Sequence, residues 1–210
     1  MKDILYKIVL NEPVHARWLN TLSYMENAGA RKISECEHPE TVDITQLKHA
    51  AEEHRHAYYL KKQIQKLNFN ACEHYHSFEL LAPLHTKQYL QNLDIKCSRY
   101  LKDQFGLLGK DLKYASYLFV TYAIEIRADL LYPIYQEVLT EQQSRITVKS
   151  IILEEEGHLE EMTAMLERFD QNWEQHASHM MGIENSLFDE WFSVISREVL
   201  ANESVRGTLV

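Results

Sequence analysis

The chain has 210 residues, of which 45% are hydrophobic, and a formal net charge of −9 at pH 7. This length suits a single domain over residues 1–210, and the acidic balance would repel a phosphate backbone, so no nucleic-acid partner is expected. The start at Met1 lacks a signal-peptide pattern and no apolar run approaches about 18 residues, so we expect a cytoplasmic protein with no membrane partner.

Only 6 glycines and 4 prolines interrupt stretches rich in Leu, Ala, Glu, Lys and Gln, a composition that predicts an all-α fold. The first two predicted helices run from about Val14 to Ile33 and from about Ile44 to Leu67, and an irregular or helical crossover follows over about Asn68 to Gly109. The third helix is predicted from about Asp111 to Leu139 with a kink at Pro133, and the fourth from Glu141 to about Phe169 or beyond. A last helix, from about Ser186 to Ala201, is expected to pack outside the others.

Five Glu-x-x-His motifs occur in the chain, whereas its 23 glutamates and 11 histidines would give about one by chance. Residues at i and i+3 share one face of a helix, so each motif can present an oxygen and a nitrogen to the same ion. Two of the motifs each follow a lone helical glutamate, by 27 and by 30 residues. Together they predict a dinuclear metal site. The six candidate catalytic and metal-ligating residues are Glu26, Glu53, His56, Glu125, Glu155 and His158.

The other three motifs are Glu12/His15, Glu35/His38 and Glu73/His76. A proline inside the first and another directly after the second place both near helix ends, away from mid-helix depth. The third falls in the predicted crossover. It is interpreted either as an ordinary partly exposed pair or as a group that covers the site or binds a metal independently.

Hairpin geometry separates the ligand candidates from the other motifs, because antiparallel helices bring together residues equally far from the turn. The midpoint of the first glutamate pair falls at Pro39, in a predicted loop that ends at a helix cap on Asp43. The midpoint of the second pair falls at Thr140, where the spacing to Gln143 resembles a capping box and predicts the turn. Both pairs are therefore expected to meet inside the molecule.

Burial is a second criterion. Glu26 shares a helical stripe with Trp18 and Leu22, and Glu125 shares one with Leu118 and Tyr132. An ionised carboxylate on a core-facing stripe costs several kcal/mol unless a cation or a donor compensates it. A metal ion would do so. The alternative is that these acids are solvated or paired with Lys and Arg.

With these residues in place, the chain resembles the ferritin-like di-iron carboxylate superfamily over about Val14 to Phe169. The resemblance implies a four-helix bundle in which two helices each supply a glutamate and the other two each supply an ExxH. The predicted elements add a long crossover and an extra C-terminal helix to this ferritin-like bundle. The segments that carry it are Glu26, Glu53-His54-Arg55-His56, Glu125 and Glu155-Glu156-Gly157-His158.

Some branches of this superfamily have features that the chain does not share. The three separated cysteines include no pattern like the iron module of rubrerythrins, and a tRNA substrate fits the acidic charge poorly. The 69 residues from His56 to Glu125 leave room for an extra helix, which looks more like the oxygenase and reductase branches than like compact ferritins.

The ligand types indicate two iron ions, with a Mn/Fe pair as an alternative, that react with O₂ or peroxide. Glu53 and Glu155 are the bridging candidates, and Glu26 and Glu125 the terminal ones. Tyr122 is interpreted as a core tyrosine rather than a redox relay. Asp129, one turn after Glu125, is expected to accept a hydrogen bond from a ligand imidazole.

Three functional readings follow. The favoured one is a di-iron oxidoreductase that oxidises a small apolar or carrier-tethered substrate and takes electrons from a separate donor. The second is an iron-oxidising or peroxide-detoxifying protein with no organic substrate. The third is a metal-free helical bundle for protein association. A homodimer is compatible with each.

Overall fold

Every regular element is helical within residues 1–69 and 71–207, which the computed structural model describes. The predicted all-α fold is confirmed, and none of the described helices is long and apolar enough to cross a membrane. Asn70, within the predicted crossover, lies outside the described residues. The helices are α1 (Lys2–Val9), α2 (Glu12–Glu35), α3 (Ile44–Ile64), α4 (Pro83–Phe105), α5 (Gly109–Glu141), α6 (Lys149–Phe169) and α7 (Trp173–Gly207), and a 3-10 turn, Ser77–Glu79, precedes α4.

The α2–α3 hairpin forms where the sequence predicts it. Asp43 caps α3 by accepting a hydrogen bond from the backbone N–H of Thr45 at 2.7 Å, which satisfies a donor that the first turn leaves free. Residues 36–43 separate the two helices, so the turn is centred on the predicted midpoint. Farther along the pair, the Ser23 hydroxyl donates to the carbonyl of Ala57 at 2.7 Å. This hairpin sets the depth of three of the six candidate ligands.

The α5–α6 hairpin turns later than predicted, and Thr140 is not its pivot. The Thr140 hydroxyl donates to the Gln136 carbonyl inside α5, and α6 begins at Lys149 rather than at Glu141. The connecting segment runs back along α5, where Gln136 Oε1 accepts hydrogen bonds from the Val148 backbone at 2.8 Å and the Thr147 hydroxyl at 3.0 Å. The last turn of α5 therefore extends past the start of α6. Glu125 and Glu155 still meet, although the turn between their helices was misplaced.

The predicted crossover contains a full helix, α4, which packs against α2, α5 and α7. It ends at Gly106, whose φ of 66° is left-handed and favours glycine. The C-terminal helix α7 lies mainly against α4 and α5, as an outer helix was expected to, but it begins at Trp173 rather than Ser186. Its first half contains many polar residues, which made it resemble a connection in the sequence.

Aromatic side chains join α4 and α7 to α2. Trp191 of α7 is 1% exposed and stacks on Trp18 of α2 with ring centroids 5.9 Å apart. Tyr89 of α4 lies 5.8 Å from the Trp191 ring, and the Trp191 indole N–H donates to the Thr86 hydroxyl at 2.9 Å. Aromatic pairs of this kind add to the free energy of area burial. They hold α4 and α7 against the helices that carry the candidate ligands.

His15, from the Glu12/His15 motif, is a buried core residue. It lies in the first turns of α2, and its Nε2 is 2.5 Å from the Tyr135 hydroxyl of α5. Burial lowers the pKa of His15 from 6.5 to about 4. This neutral, hydrogen-bonded histidine is part of the packing between α2 and α5.

The pKa of His15 predicts a loss of stability in acid. Below pH 6.5 the unfolded chain protonates His15, whereas the native chain keeps it neutral to about pH 4, so the free energy of unfolding falls across this window. Urea denaturation should show wild type losing stability relative to His15→Gln as the pH decreases. Tyr135→Phe should keep the pH dependence, because burial rather than the hydrogen bond causes the shift. Parallel pH curves for wild type and His15→Gln would contradict this account.

Candidate metal centre

The structure brings all six candidate ligands together from four helices. Both histidines are fully buried, and Glu53, Glu125 and Glu155 are 7%, 2% and 3% exposed, whereas Glu26 is half-buried. In each ExxH motif the i, i+3 spacing turns the carboxylate and the imidazole to the same inner face of the helix. The contributions are Glu26 from α2, Glu53 and His56 from α3, Glu125 from α5, and Glu155 and His158 from α6.

These residues form two overlapping groups that share Glu53 and Glu155. In each group the ligand atoms all lie within 4.8 Å of one another. Glu155 faces both histidines, since its Oε1 is 3.1 Å from His56 Nδ1 and its Oε2 is 3.2 Å from His158 Nδ1. A carboxylate with one oxygen toward each half is suited to bridge two ions. The groups are Glu26, Glu53, His56 and Glu155, and Glu53, Glu125, Glu155 and His158.

The outer nitrogen of each histidine is held by a glutamate from the opposite helix. His56 Nε2 of α3 lies 3.0 Å from Glu154 of α6, and His158 Nε2 of α6 lies 2.7 Å from Glu52 of α3. Such a carboxylate fixes the tautomer and the ring orientation of a histidine ligand. With a proton on Nε2, each ring directs its Nδ1 into the cluster, where that nitrogen can bind an ion when it carries no proton.

Basic side chains compensate the two outer glutamates. Arg55 contacts Glu154, and Lys48 lies 3.9 Å from Glu52. By contrast, in the described part of the chain no Lys or Arg forms an ion pair with the four inner carboxylates. The interior is therefore acidic, and no described Lys or Arg balances its charge.

The donor set fits a pair of divalent transition-metal ions. His56 Nδ1 is buried without a hydrogen-bond partner, although such nitrogens are normally satisfied. A metal ion would use this lone pair, and mixed imidazole and carboxylate donors suit iron and manganese. Glu53 and Glu155 would bridge the two ions, with one histidine and one further glutamate for each.

The pKa values in the cluster reflect burial with no Lys or Arg partner among the described residues. Burial and then the charge of Glu155 raise the pKa of Glu125 well above its ordinary value, and burial and then the charge of Glu26 do the same for Glu53. Burial alone would raise the pKa of Glu155, but hydrogen bonds with Glu125 and His158 and the nearby imidazole of His56 outweigh it and lower that pKa. Burial opposes the charged form of His158, yet its hydrogen bond to Glu155 raises its pKa to about 9. Protons thus offset charge where cations could.

Three of the closest supporting residues were not predicted from sequence. They are Glu52 and Glu154, which orient the histidines, and Tyr132, whose hydroxyl donates to Glu26. Glu52 and Glu154 each directly precede a candidate ligand. The repeated pattern Glu-Glu-x-x-His was therefore a signal available in the sequence.

Asp129 and Tyr122, both on α5 near Glu125 in sequence, do not contact the candidate ligands in the described contacts. Asp129 is exposed, so the prediction that it accepts from a ligand imidazole is wrong, and Glu52 and Glu154 fill that role. Tyr122 packs edge-on against Trp173 of α7, 5.5 Å between ring centroids, as a core tyrosine does. Helical spacing brought both close to Glu125 along the chain without turning them toward the site.

The Glu73/His76 motif of the predicted crossover lies outside both ligand groups. Glu73 and His76 are exposed, and the His76 ring stacks on Phe78 with centroids 5.5 Å apart. Lys61 and Asn20 bind backbone carbonyls of this segment, which anchors it to α3 and α2. The structure supports the interpretation of Glu73 and His76 as an ordinary exposed pair.

A cavity of about 90 Å³ reaches the cluster from one side. Its walls come mainly from α2, α4 and α5, and they include all four inner carboxylates but neither histidine. Apolar side chains such as Leu22, Met25, Val120 and Ile124 line most of it. The histidines and their outer glutamates thus occupy one side of the cluster, while an apolar space faces the carboxylates.

Comparison with known proteins gives no match. No protein-family model, no curated protein and no solved structure matches this chain. The resemblance to the ferritin-like superfamily stays a prediction from the ligand pattern.

Replacing Glu125 by Gln should affect metal-free and metal-loaded protein in opposite directions. Gln keeps the shape of the side chain and is neutral without a proton, whereas the raised pKa of Glu125 means that metal-free wild type must take up a proton at this buried carboxyl when it folds. The metal-free variant should therefore melt several degrees higher than metal-free wild type, corresponding to roughly 1 kcal/mol. With Mn(II) in excess the order should reverse, since wild type gains more stability from a ligand that binds the native state. Calorimetry with chelator and with Mn(II) measures both. The same order in both conditions would show that Glu125 does not bind the metal.

Proposed function

We propose that the chain is a ferritin-like di-iron oxidoreductase that uses O₂ or peroxide to oxidise a small apolar or carrier-tethered substrate. A Mn/Fe pair is an alternative metal content. Electrons would return from a separate donor, since the cluster supplies none. Glu26, Glu53, His56, Glu125, Glu155 and His158 would hold the two ions.

The observation that carries this proposal is the shared pair of carboxylates. Two four-residue groups have Glu53 and Glu155 in common, and each keeps one histidine and one further glutamate to itself. Buried carboxylates that stand alone need a basic partner, and these have none among the described Lys and Arg residues. A third reading, a metal-free bundle for association, leaves this cluster without a physical reason.

The arrangement of helices supports a ferritin-like bundle. The α2–α3 hairpin supplies one lone glutamate and one ExxH, and the α5–α6 hairpin supplies the same set. Their closest packing is within each hairpin, and the ligands lie where the two hairpins face each other. α4 occupies the long crossover and α7 is the extra C-terminal helix.

The residues of the chain would bind, orient and shield. Glu52 and Glu154 hold the protons on Nε2 of the histidines, and the Tyr132 hydroxyl restrains the carboxylate of Glu26. Bound iron would supply the redox chemistry, because it exchanges electrons with O₂. The apolar walls of the cavity would exclude water and leave room for an organic group beside the carboxylates. This cavity favours an organic substrate over iron oxidation alone.

Purified protein should bind two transition-metal ions per chain after anaerobic reconstitution with Fe(II). Glu155→Ala or His158→Ala should empty at least one site, because the loss of a ligand leaves a poorly compensated coordination sphere. Elemental analysis gives the stoichiometry, and anomalous scattering at the iron edge locates the ions.

The matched control is a second ExxH pair. Glu73→Ala combined with His76→Ala removes an exposed carboxylate and imidazole at the same spacing and should leave the stoichiometry at two. Background metal in wild type, or a halved content in this double variant, would contradict the assignment of the six ligands.

Aerobic addition of Fe(II) should produce the near-ultraviolet absorbance of ferric iron within seconds to minutes. The reaction should stop near two irons per chain, because the cluster has two ligand groups and the cavity beside it is apolar. Stopped-flow absorbance with increasing iron measures the rate and the end point. Oxidation no faster than in buffer would remove the enzyme proposal, and oxidation that continues past two irons would favour the storage or detoxification reading.

A further inference from the structure

One helical glycine borders both the cavity and a bridging candidate. Gly29 lies on α2 one turn after Glu26, and it lines the cavity together with that residue and Glu53. A Cβ built at Gly29 would have Glu53 Oε2, at 3.9 Å, as its only neighbour within 4 Å outside the local helix backbone. That distance is an ordinary van der Waals contact. The space beside the carboxylates is therefore open at this position.

The backbone does not require glycine there. Gly29 is inside a regular helix and does not have a positive φ, unlike Gly106 and Gly109. Inside a helix, glycine costs roughly 0.5–1 kcal/mol relative to alanine. Neither backbone strain nor close helix packing requires glycine, whereas a side chain longer than that of alanine would extend into the metal end of the cavity.

Charges around the cavity indicate what could enter it. Its two basic side chains are already paired, Lys32 with Asp94 at 2.9 Å and Arg127 with Glu184 through two contacts of 2.8 Å. The inner carboxylates would repel an anion, and most of the remaining wall is apolar. The group that fits beside Gly29 is therefore uncharged and apolar. The cavity volume of about 90 Å³ is below the roughly 150 Å³ of an engineered apolar cavity that binds benzene, so the group it holds is no larger than one small ring.

We propose that Gly29 is the specificity-determining residue of this cavity: its missing side chain leaves the space in which an uncharged, ring-sized apolar group of the substrate lies beside the Glu53 side of the metal pair. The assignment rests on the proposed function, because it takes the six-residue cluster as the metal centre. Any side chain larger than alanine at position 29 would occupy the same space.

Toluene and Mn(II) test this directly. Toluene is uncharged and ring-sized, and Mn(II) broadens the proton resonances of molecules bound near it. Wild type loaded with two Mn(II) should bind toluene and broaden its resonances, whereas Gly29→Leu should keep both ions and bind toluene at least about tenfold more weakly, since the added side chain fills the site. Calorimetry gives the affinity and elemental analysis the metal content. Gly29→Met, with a flexible side chain, repeats the test if the leucine variant does not fold.

The matched control is Gly182→Leu. Gly182 is an exposed glycine of α7, and a Cβ there would meet nothing within 4 Å, so this variant should bind toluene and Mn(II) like wild type. Unchanged toluene affinity in Gly29→Leu or Gly29→Met, or no toluene binding by wild type with two Mn(II) bound, would overturn the role of Gly29 and leave the metal centre standing. Toluene binding without any Mn(II) binding would overturn the metal centre, and the role of Gly29 with it.

Discussion

Buried negative charge is the constraint on which this structure depends. Four carboxylates and two imidazoles occupy the space between α2, α3, α5 and α6, and no described Lys or Arg pairs with the inner carboxylates. Isolated carboxylates at this depth would cost several kcal/mol each, so the cluster must hold protons or cations. The raised pKa values of Glu53 and Glu125 and the raised pKa of His158 are consequences of that requirement.

The packing around the cluster follows from the same constraint. The basic side chains lie beside the two outer glutamates rather than the inner carboxylates. Arg55 contacts Glu154, and Lys48 lies beside Glu52. Because each of these glutamates holds a histidine of the opposite helix, polar contacts join α3 and α6 across the cluster. The α2 and α5 side is different, since there an apolar cavity meets the carboxylates. The candidate centre thus has a polar supporting side and an apolar access side.

This asymmetry bears on function. A site that only collected iron would need a polar path for hydrated ions, whereas the cavity that reaches these carboxylates is mostly apolar. Its paired cations and its helical glycine at the metal end are consistent with one another, since both leave an uncharged space beside the cluster. The proposals of an organic substrate and of a specificity role for Gly29 come from this one face of the molecule.

Sequence alone was enough to predict the α-helical class, the six clustered residues and the first hairpin. Composition, i, i+3 spacing and the cap at Asp43 are local properties, and they constrain geometry over one or two helical turns. Glu26 and Glu53 follow from these properties because the loop between their helices is short and symmetric about its midpoint. The second hairpin shows where local information ends. Its turn was misplaced, and Glu125 and Glu155 meet only because residues 142–148 fold back along α5 and are held there by Gln136.

The neighbours that complete the cluster come from contacts between distant segments of the chain. Glu52 binds His158 across 106 residues of sequence and Glu154 binds His56 across 98, so neither pair belongs to a common local pattern. Asp129 was favoured by its spacing to Glu125 but turns to solvent, while Tyr132 turns to Glu26. The cavity and the open space at Gly29 likewise depend on how α4 and α5 pack against α2. Helical periodicity tells which residues share a face, whereas the partner of that face is determined by the packing of distant segments.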